Sequence, residues 1–315
     1  MNLQPLRVVV LSALMTGYRL VADWAERHGH QLVLVVTPPA GAGLRYGRRA
    51  NPFVLDLPRQ SHVLVTGSLA TVAAPVAAAL APDLVISAAF PRRIPPQLLA
   101  VPRHGALNLH PSALPAGRGP NPFRLVYEGA STIGATLHRT AEDFDTGPVL
   151  SVREAPLPTE LSAVALRSAS VDLMAQVLEE GAERAVAGDP GIVQNADQAS
   201  HTPPFTDAEQ LIDFTEPARM LQRKVAALNV LGPRAAACVD GLRVQIGHLQ
   251  ESGSGTRAEP GEVLARHGDG WTVQAADHAV RVYSPWPCQT YRLRARDALL
   301  PQVPAFRPGG QESLH

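Results

Sequence analysis

Polar side chains of three kinds follow two apolar stretches of the chain, where they could meet one substrate. Asn108 and His110 lie at the end of the apolar run GALNLH, just before a series of helix breakers. Because side chains two apart in a strand point to the same face, these two can converge on one atom. Asp143 and Asp145 precede Thr-Gly-Pro in AEDFDTGPVL, at a second junction between strand and loop. The spacing predicts one polar site built from both junctions.

An amide, an imidazole and a carboxylate in one site predict acyl transfer without a covalent intermediate. The amide of Asn108 can donate a hydrogen bond to a developing oxyanion, and His110 can take the proton of an attacking amine. Asp145 would raise the pKa of the imidazole and fix its orientation. A purely structural interpretation stays open at this level, because Asn and His often cap loops and Asp before Thr-Gly is common in turns.

The elements that must position these residues alternate between strand and helix up to about residue 200. This alternation predicts a doubly wound α/β domain with a mostly parallel, Rossmann-like sheet. Ligands bind such sheets at the carboxyl ends of the strands, where Asn108 and His110 are expected. We expect strands at 6–14, 30–39, 61–67, 83–90, 105–110, 131–143 and 147–157, helices at 17–29, 70–82, 119–130 and 159–188, and an aperiodic Gly- and Arg-rich loop at 40–59.

The last third of the chain has a different pattern, with short alternating strands and turns. A helix at 216–229 is followed by the hairpin signals Asp240-Gly241 and Asp269-Gly270, which predict a smaller β-barrel-like, OB-like domain. The predicted organisation is a catalytic domain at 1–200, a linker at 201–214, a C-terminal domain at 215–300 and a tail at 301–315.

Composition limits the class of protein. Lys plus Arg and Asp plus Glu both total 28 among 315 residues, so no net charge draws the chain to nucleic acid or anionic lipid. Cys238 and Cys288 lack the spacing of zinc ligands, and no metal is expected. The N-terminal apolar run is too short to span a bilayer and lacks a signal-peptide cleavage pattern. We therefore expect a cytoplasmic protein that makes no membrane contact.

The two motifs together resemble those of the 10-formyltetrahydrofolate-dependent formyltransferases. LNLHPSALPAGRG followed by DFDTGPVL is similar to the family signature, with Ala113 in place of its usual Leu. The resemblance implies that Asn108, His110 and Asp145 form the catalytic triad, that 10-formyltetrahydrofolate is the co-substrate, and that the fold is of the formyltransferase type. It implies folate contacts at Phe90, Arg92, Ile94, Ser112, Leu114, Pro115 and Asp143.

The acceptor amine is not defined by these motifs. Pro120-Asn121-Pro122 and the segment 230–234 depart from the stretches typical of methionyl-tRNA formyltransferases, and the only concentrated basic stretch contains Arg45, Arg48 and Arg49. We therefore expect N-formylation of a small-molecule amine, such as an amino acid, an amino sugar or a specialised-metabolite intermediate.

Three alternatives to this interpretation stay open. They are formylation of methionyl-tRNA, hydrolysis of 10-formyltetrahydrofolate, and folate binding without catalysis. A homodimer is compatible with the sequence, which does not define the oligomeric state. The role of the loop at 40–59 is likewise left open.

Overall fold

A computed structural model describes residues 5–39, 52–239, 242–253, 257–284 and 299–300. These residues form two compact units, and each takes several pieces of the chain. The first unit takes the described parts of Met1–Pro122, Thr132–Pro156 and Ser168–Pro203, and the second those of Phe123–Ser131, Leu157–Arg167 and Pro204–His315. The predicted linker at 201–214 and the predicted domain bounds on either side of it stay predictions.

The first unit contains one seven-stranded sheet. Its strands are β1 (Arg7–Leu11), β2 (Gln31–Thr37), β3 (Val63–Val65), β4 (Leu84–Ala88), β5 (Ala106–His110), β6 (Thr132–Arg139) and β7 (Val149–Pro156), in the order β3-β2-β1-β4-β5-β6-β7. The first five run parallel, and β6 pairs antiparallel with β5 and with β7. The predicted mostly parallel α/β sheet is therefore confirmed.

The strand order reverses between β1 and β4, which marks where ligands bind in such sheets. Both strands are mostly apolar because both faces of the sheet are covered, and Val9, Leu11 and Val85 are fully buried. At this position the chain after β1 is tied to the end of β4, since Ser12 Oγ donates to the carbonyl oxygen of Ala88 at 2.7 Å.

The described helices are α1 (Met15–Arg27), α2 (Pro52–Asp56), α3 (Ala74–Ala79), α4 (Pro96–Leu99), α5 (Arg124–Tyr127), α6 (Ala163–Val186) and α7 (Ala218–Asn229). A π-helical turn, Leu69–Ala73, precedes α3, and a 3₁₀ turn, Ala196–Gln198, follows α6. Helix α1 buries Leu20, Val21 and Trp24 at the predicted spacing.

Two sequence predictions in this region need correction. The predicted helix at 119–130 shrinks to Arg124–Tyr127, because Gly119 has a φ of 106°, outside the helical region, and a proline disfavours the helical conformation of the residue before it, as at positions 120 and 122. Part of the predicted loop at 40–59 is helical, since α2 packs Phe53 against Tyr18, with ring centroids 6.2 Å apart.

The second unit contains α5, α7 and antiparallel strands. The strands are β8 (Ala236–Val239), β9 (Leu242–Gln245), β10 (His248–Gly253), β11 (Val263–His267), β12 (Gly270–Gln274), β13 (Ala279–Tyr283) and β14 (Leu299–Leu300), in two sheets ordered β10-β13-β12-β11 and β14-β8-β9. The strands on either side of both predicted turns pair, β8 with β9 and β11 with β12, while Asp240 and Gly241 themselves lie outside the described residues. A C-terminal domain of antiparallel strands is therefore confirmed.

An apolar core holds together the described part of the second unit. Trp271 and Phe214 are each 1% exposed, and Tyr127 of α5 packs against the same cluster. Asn229, at the end of α7, satisfies the backbone around it: its amide donates to the carbonyl oxygens of Ile246 and Gly247, and its oxygen accepts from two backbone N–H groups. No helix among the described residues is long and apolar enough to cross a membrane.

Candidate active site

The two polar residues of β5 lie in the middle of the sheet. Strand β5 pairs with β4 on one side, where Asn108 faces Ser87, and with β6 on the other, where Asn108 faces His138. His110 is the last residue of the strand and is 6% exposed. The parallel strands thus carry both side chains to their carboxyl ends, where the sequence analysis expected them.

Asp145 approaches β5 from the loop between β6 and β7, and it is 7% exposed. Its Oδ1 atom accepts from Nδ2 of Asn108 at 2.9 Å and lies 3.6 Å from Nδ1 of His110. Its Oδ2 atom accepts from the backbone N–H of Gly119 at 2.8 Å. The structure therefore brings the three predicted catalytic side chains into one group, and their catalytic roles stay predictions.

The protonation of this group follows from its surroundings. Burial raises the pKa of Asp145, but the neighbouring His138 and His110 rings and the Gly119 N–H outweigh it and lower the pKa to about 2. Burial lowers the pKa of His110, and the charge of Asp145 opposes this only in part. Near neutral pH the site therefore holds a carboxylate and a neutral imidazole, which is the state that a general base requires.

The hydrogen bonds of His110 indicate which of its nitrogen atoms is free to accept a proton. Its Nε2 atom lies 2.9 Å from the carbonyl oxygen of Gly117, which can only accept, so Nε2 carries the proton. Nδ1 is then an unprotonated acceptor that faces the carboxylate of Asp145. The separation of 3.6 Å is longer than a hydrogen bond, as expected for two atoms that can only accept.

His138 joins the site and was missed in the sequence. It is 1% exposed, and its Nε2 atom lies 3.1 Å from Nδ2 of Asn108. Its Nδ1 atom lies 2.9 Å from the carbonyl oxygen of Arg139, so Nδ1 donates and Nε2 accepts. Both N–H groups of Asn108 are thereby engaged, by Asp145 and by His138. A histidine inside the apolar stretch STIGATLHR was the available signal.

The loop after β5 is held by a second set of polar groups. Ser112 Oγ donates to the carbonyl oxygen of Ala116 at 2.8 Å, and Thr136 Oγ1 donates to the carbonyl oxygen of Ser112 at 2.7 Å. The N–H of Gly117 donates to Ser200 Oγ at 2.9 Å. These bonds fix the carbonyl of Gly117 against His110.

The predicted folate contacts divide by exposure. Ile94 and Leu114 are buried, at 4% and 6%, and the hydroxyl of Ser112 is used within its own loop. Phe90 and Pro115 are half-buried. The side chains of Ile94, Leu114 and Ser112 therefore offer little to a ligand, while the role of all seven positions stays a prediction.

The two charged residues of that set pair with neighbouring loops. Arg92 donates to the carbonyl oxygen of Gly67 at 3.0 Å, and the exposed Asp143 pairs with Arg93 at 3.2 Å. Arg93 also lies over the ring of Phe144, 5.4 Å from its centroid. The loop after β4 is thereby joined to the loop that carries Asp145.

Two further predictions concern metal and basic residues. Within the described ranges no group of three or more His, Cys, Asp or Glu residues is arranged to hold a metal ion. Arg45, Arg48, Arg49 and Cys288 lie outside the described residues.

Two family models match the chain over most of its length. The model of the formyl transferase family matches residues 6–180, and that of the formyl transferase C-terminal domain matches residues 204–296. The chain belongs to the formyl transferase family. The enzyme class predicted from the motifs around Asn108 and Asp145 is therefore confirmed.

Methionyl-tRNA formyltransferases are similar to this chain along most of its length. That of Janthinobacterium sp. (strain Marseille) is 30% identical over 267 residues, which are 81% of this chain and 84% of the relative. One from Thermus thermophilus is 35% identical over 258 residues, which are 78% of this chain and 79% of the relative.

In view of these relatives the prediction of a small-molecule acceptor is wrong, and the alternative acceptor, methionyl-tRNA, is favoured. The prediction rested on short departures such as Pro120-Asn121-Pro122 and on a net charge of zero. A few residues of one loop say little about a relationship that extends along four-fifths of the chain. A net charge is a sum, and it does not show where basic side chains cluster.

A solved structure has the same fold at low sequence identity. HypX from Aquifex aeolicus has a TM-score of 0.67 and 21% identity, covering 89% of this chain and 45% of its own chain. This chain therefore spans less than half of HypX. An identity this low supports the fold alone.

Proposed function

We propose that this formyltransferase moves a formyl group from 10-formyltetrahydrofolate to the amino group of methionyl-tRNA. The observation that carries the proposal is the 30% and 35% identity to methionyl-tRNA formyltransferases over about four-fifths of the chain. The grouping of Asn108, His110 and Asp145 supports the chemistry, because it supplies a base, a charged partner for that base, and an amide donor.

The proposed reaction begins at the neutral His110. The acceptor nitrogen attacks the formyl carbon, a C–N bond forms, and Nδ1 of His110 takes the proton that the amine loses. The carbonyl oxygen of the formyl group becomes an oxyanion. The bond from the formyl carbon to the folate nitrogen then breaks, and that nitrogen receives the proton, so atoms and charges balance.

Asp145 links the proton transfer to stabilisation of the oxyanion. Once His110 is protonated, its Nδ1–H can donate to the Oδ1 atom that already accepts from Asn108. This new charge-assisted bond competes with the Asn108 bond and frees one amide N–H for the oxyanion. The proton on His110 and the donor on Asn108 therefore become available in the same step.

The folate ring of the donor is proposed to bind beside the loop after β4, at the reversal of strand order. Ala89 has a φ of 56°, an uncommon conformation for a residue with a Cβ, directly after β4 at the reversal of strand order. Such strain is concentrated at ligand sites. HypX, which shares this fold, has been solved in complex with tetrahydrofolic acid.

Exposed arginines of the second unit are candidate contacts to tRNA phosphates. Arg234 and Arg243 are both exposed, and Nη2 of Arg243 lies 3.4 Å from the carbonyl oxygen of Arg234, so the two are neighbours. Arg219 and Arg257 are also exposed on this unit. Phosphate contacts of this kind would make binding weaken steeply with salt.

The test is formylation of charged initiator tRNA by the full chain with 10-formyltetrahydrofolate, measured as N-formylmethionyl-tRNA and as released tetrahydrofolate. Uncharged tRNA, free methionine and a reaction without acceptor are run alongside. We expect product only with methionyl-tRNA, a rate that falls with salt, and unchanged turnover in a chelator.

Equal release of tetrahydrofolate in the reaction without acceptor would show that the enzyme hydrolyses 10-formyltetrahydrofolate and does not transfer its formyl group. Efficient formylation of free methionine would remove tRNA from the proposal. Loss of activity in a chelator that zinc restores would contradict the metal-free mechanism.

A further inference from the structure

The side chain of Gln194 forms hydrogen bonds with the loop that carries Asp145 and with the loop that follows His110. We propose that Gln194 is a positioning residue that holds Asp145 at its working distance from His110. It lies in the irregular segment before the 3₁₀ turn Ala196–Gln198 and belongs to none of the motifs found in the sequence. The inference rests on the role proposed above for Asp145 in formyl transfer.

The side chain of Gln194 has a single permitted orientation. Its Nε2 atom donates to the carbonyl oxygens of Asp145 at 2.8 Å and Gly147 at 2.7 Å. Its Oε1 atom accepts from Nε and Nη2 of Arg118 at 3.1 and 2.7 Å. A turned amide would set its NH₂ group against a guanidinium and its oxygen against two carbonyls, so the donors must face the Asp145 turn.

The turn that Gln194 bonds is strained and tightly packed. Asp145 has a φ of 56°, in the left-handed region that residues with a Cβ seldom adopt. At Gly147 an added Cβ would lie 1.8 Å from the carbonyl oxygen of Arg139, so this turn presses against the end of β6. A strained turn persists only where its surroundings hold it, and Gln194 supplies two hydrogen bonds that do so.

Gln194 also bonds the loop that donates to the carboxylate. Its partner Arg118 precedes Gly119, whose N–H donates to Asp145 Oδ2 at 2.8 Å. The side chain of Gln194 thus bonds the backbone of Asp145 and also bonds Arg118, the residue before the Gly119 N–H that donates to the Asp145 carboxylate. Loss of these bonds would let the carboxylate shift relative to Nδ1 of His110, now 3.6 Å from it.

A shift of Asp145 should be detectable at His110. Among the described residues, the titratable groups acting on this imidazole are Asp145, which raises its pKa, and His138, which lowers it. Burial lowers the pKa further, and the carbonyl of Gly117 raises it. If the carboxylate moves away, the pKa of His110 falls.

Two substitutions separate the donor role of Gln194 from packing. Gln194→Met keeps the approximate volume and removes every hydrogen bond. Gln194→Glu keeps acceptors for Arg118 but cannot donate to the carbonyls of Asp145 and Gly147. Gln198→Met is the matched control, because Gln198 is an exposed glutamine four residues further along.

The experiment follows the imidazole of His110 by NMR titration of the full chain labelled at histidine, with His110→Gln used to assign its signal. We expect a lower His110 pKa in Gln194→Met and no change in Gln198→Met; in Gln194→Glu, whose added carboxylate by itself favours the protonated imidazole, the expected defect is in kcat. With substrates present, we expect kcat to fall about tenfold with little change in KM. No acceptor is needed for the titration, so failure of tRNA formylation would leave this result standing.

A folded Gln194→Glu variant with the wild-type His110 titration and kcat would overturn the inference. So would a defect in Gln194→Met that Gln194→Glu lacks, because the bonds to Asp145 and Gly147 are lost in both variants and could not then be its cause. If Gln194→Met does not fold, the Glu variant by itself decides the question.

Discussion

Two carboxylates, one in each unit, have a pKa lowered to about 2, and their surroundings differ. Hydrogen bonds from Arg124, at 2.7 and 3.0 Å, are the main cause for Glu209, with burial opposing. For Asp145, burial is opposed by two imidazoles and a backbone N–H. Glu209 is neutralised by a group that never releases its proton. The side chains that face Asp145 are imidazoles, a group that can release its proton.

This difference shows that a shifted pKa does not identify a site by itself. A guanidinium in a two-pronged pair makes Glu209 a structural brace, also bonded by the N–H of Thr206 at 2.7 Å. Among the described residues, no arginine forms a hydrogen bond or ion pair with the carboxylate of Asp145. Its Oδ1 atom accepts from the amide of Asn108 and also faces the imidazole of His110. The partners of a carboxylate therefore indicate its role.

The largest effect is expected for the side chains that act on the substrate. His110→Ala and Asn108→Ala should each lower turnover by about 10²–10⁴-fold, because they remove the proposed base and the proposed oxyanion donor. Turnover and melting temperature are measured together. His62→Ala, at an exposed histidine, is the control and should match the wild type. Near-normal turnover in either variant would take that residue out of the mechanism.

The second prediction exchanges the two carboxylates for amides. Asp145→Asn should lower turnover by about 10²-fold and move the acid limb of the pH–rate profile to lower pH, because the carboxylate raises the His110 pKa. Glu209→Gln should leave turnover per folded molecule unchanged and lower the free energy of unfolding by about 1–3 kcal/mol. Kinetics and denaturant unfolding of both variants check this. The reverse assignment of effects would break the distinction between site and brace.

A smaller effect is expected for the hydrogen bonds one step away from each carboxylate. His138→Leu removes the acceptor of one Asn108 N–H and should lower turnover about tenfold. Tyr127→Phe removes a 3.0 Å bond to the carbonyl oxygen of Glu209 and should cost about 1 kcal/mol of stability without affecting turnover. If His138→Leu changes stability alone, His138 supports the sheet and not the reaction.

The smallest effect is a pH dependence of stability. Burial lowers the pKa of His110, so below pH 6.5 the unfolded chain binds a proton that the folded chain rejects. Stability should therefore decline as the pH falls from 6.5 toward the folded-state pKa of His110. Asp145 and Glu209 contribute at lower pH, because the stability that each provides above its ordinary pKa is lost as the pH falls toward about 2.

This dependence is measured as melting temperature between pH 8 and 5. We expect a fall of about 2–4 °C across this range, and a shallower one in His110→Gln. His30, whose pKa burial also lowers, contributes in the same direction and remains in that variant. An identical slope in wild type and variant would show that His110 is not the group that titrates.

The sequence predicted the site where local geometry was enough. Asn108 and His110 share a face because strand side chains alternate, and that holds for any strand. His138 was missed because its position depends on antiparallel pairing of β5 with β6, which the apolar pattern alone does not define. Gln194 was missed because it lies in an irregular polar segment, and only the folded chain shows which loops such a segment meets.

The second unit takes Phe123–Ser131 and Leu157–Arg167 from the middle of the chain. A ribosome makes these two pieces well before α7 and the strands that follow. Helix α5, with Tyr127 and Arg124, is therefore synthesised before most of the core against which it packs. The same arrangement constrains chimeras between relatives. An exchange that begins at residue 204 would separate Glu209 from its arginine, so all three pieces should be exchanged together.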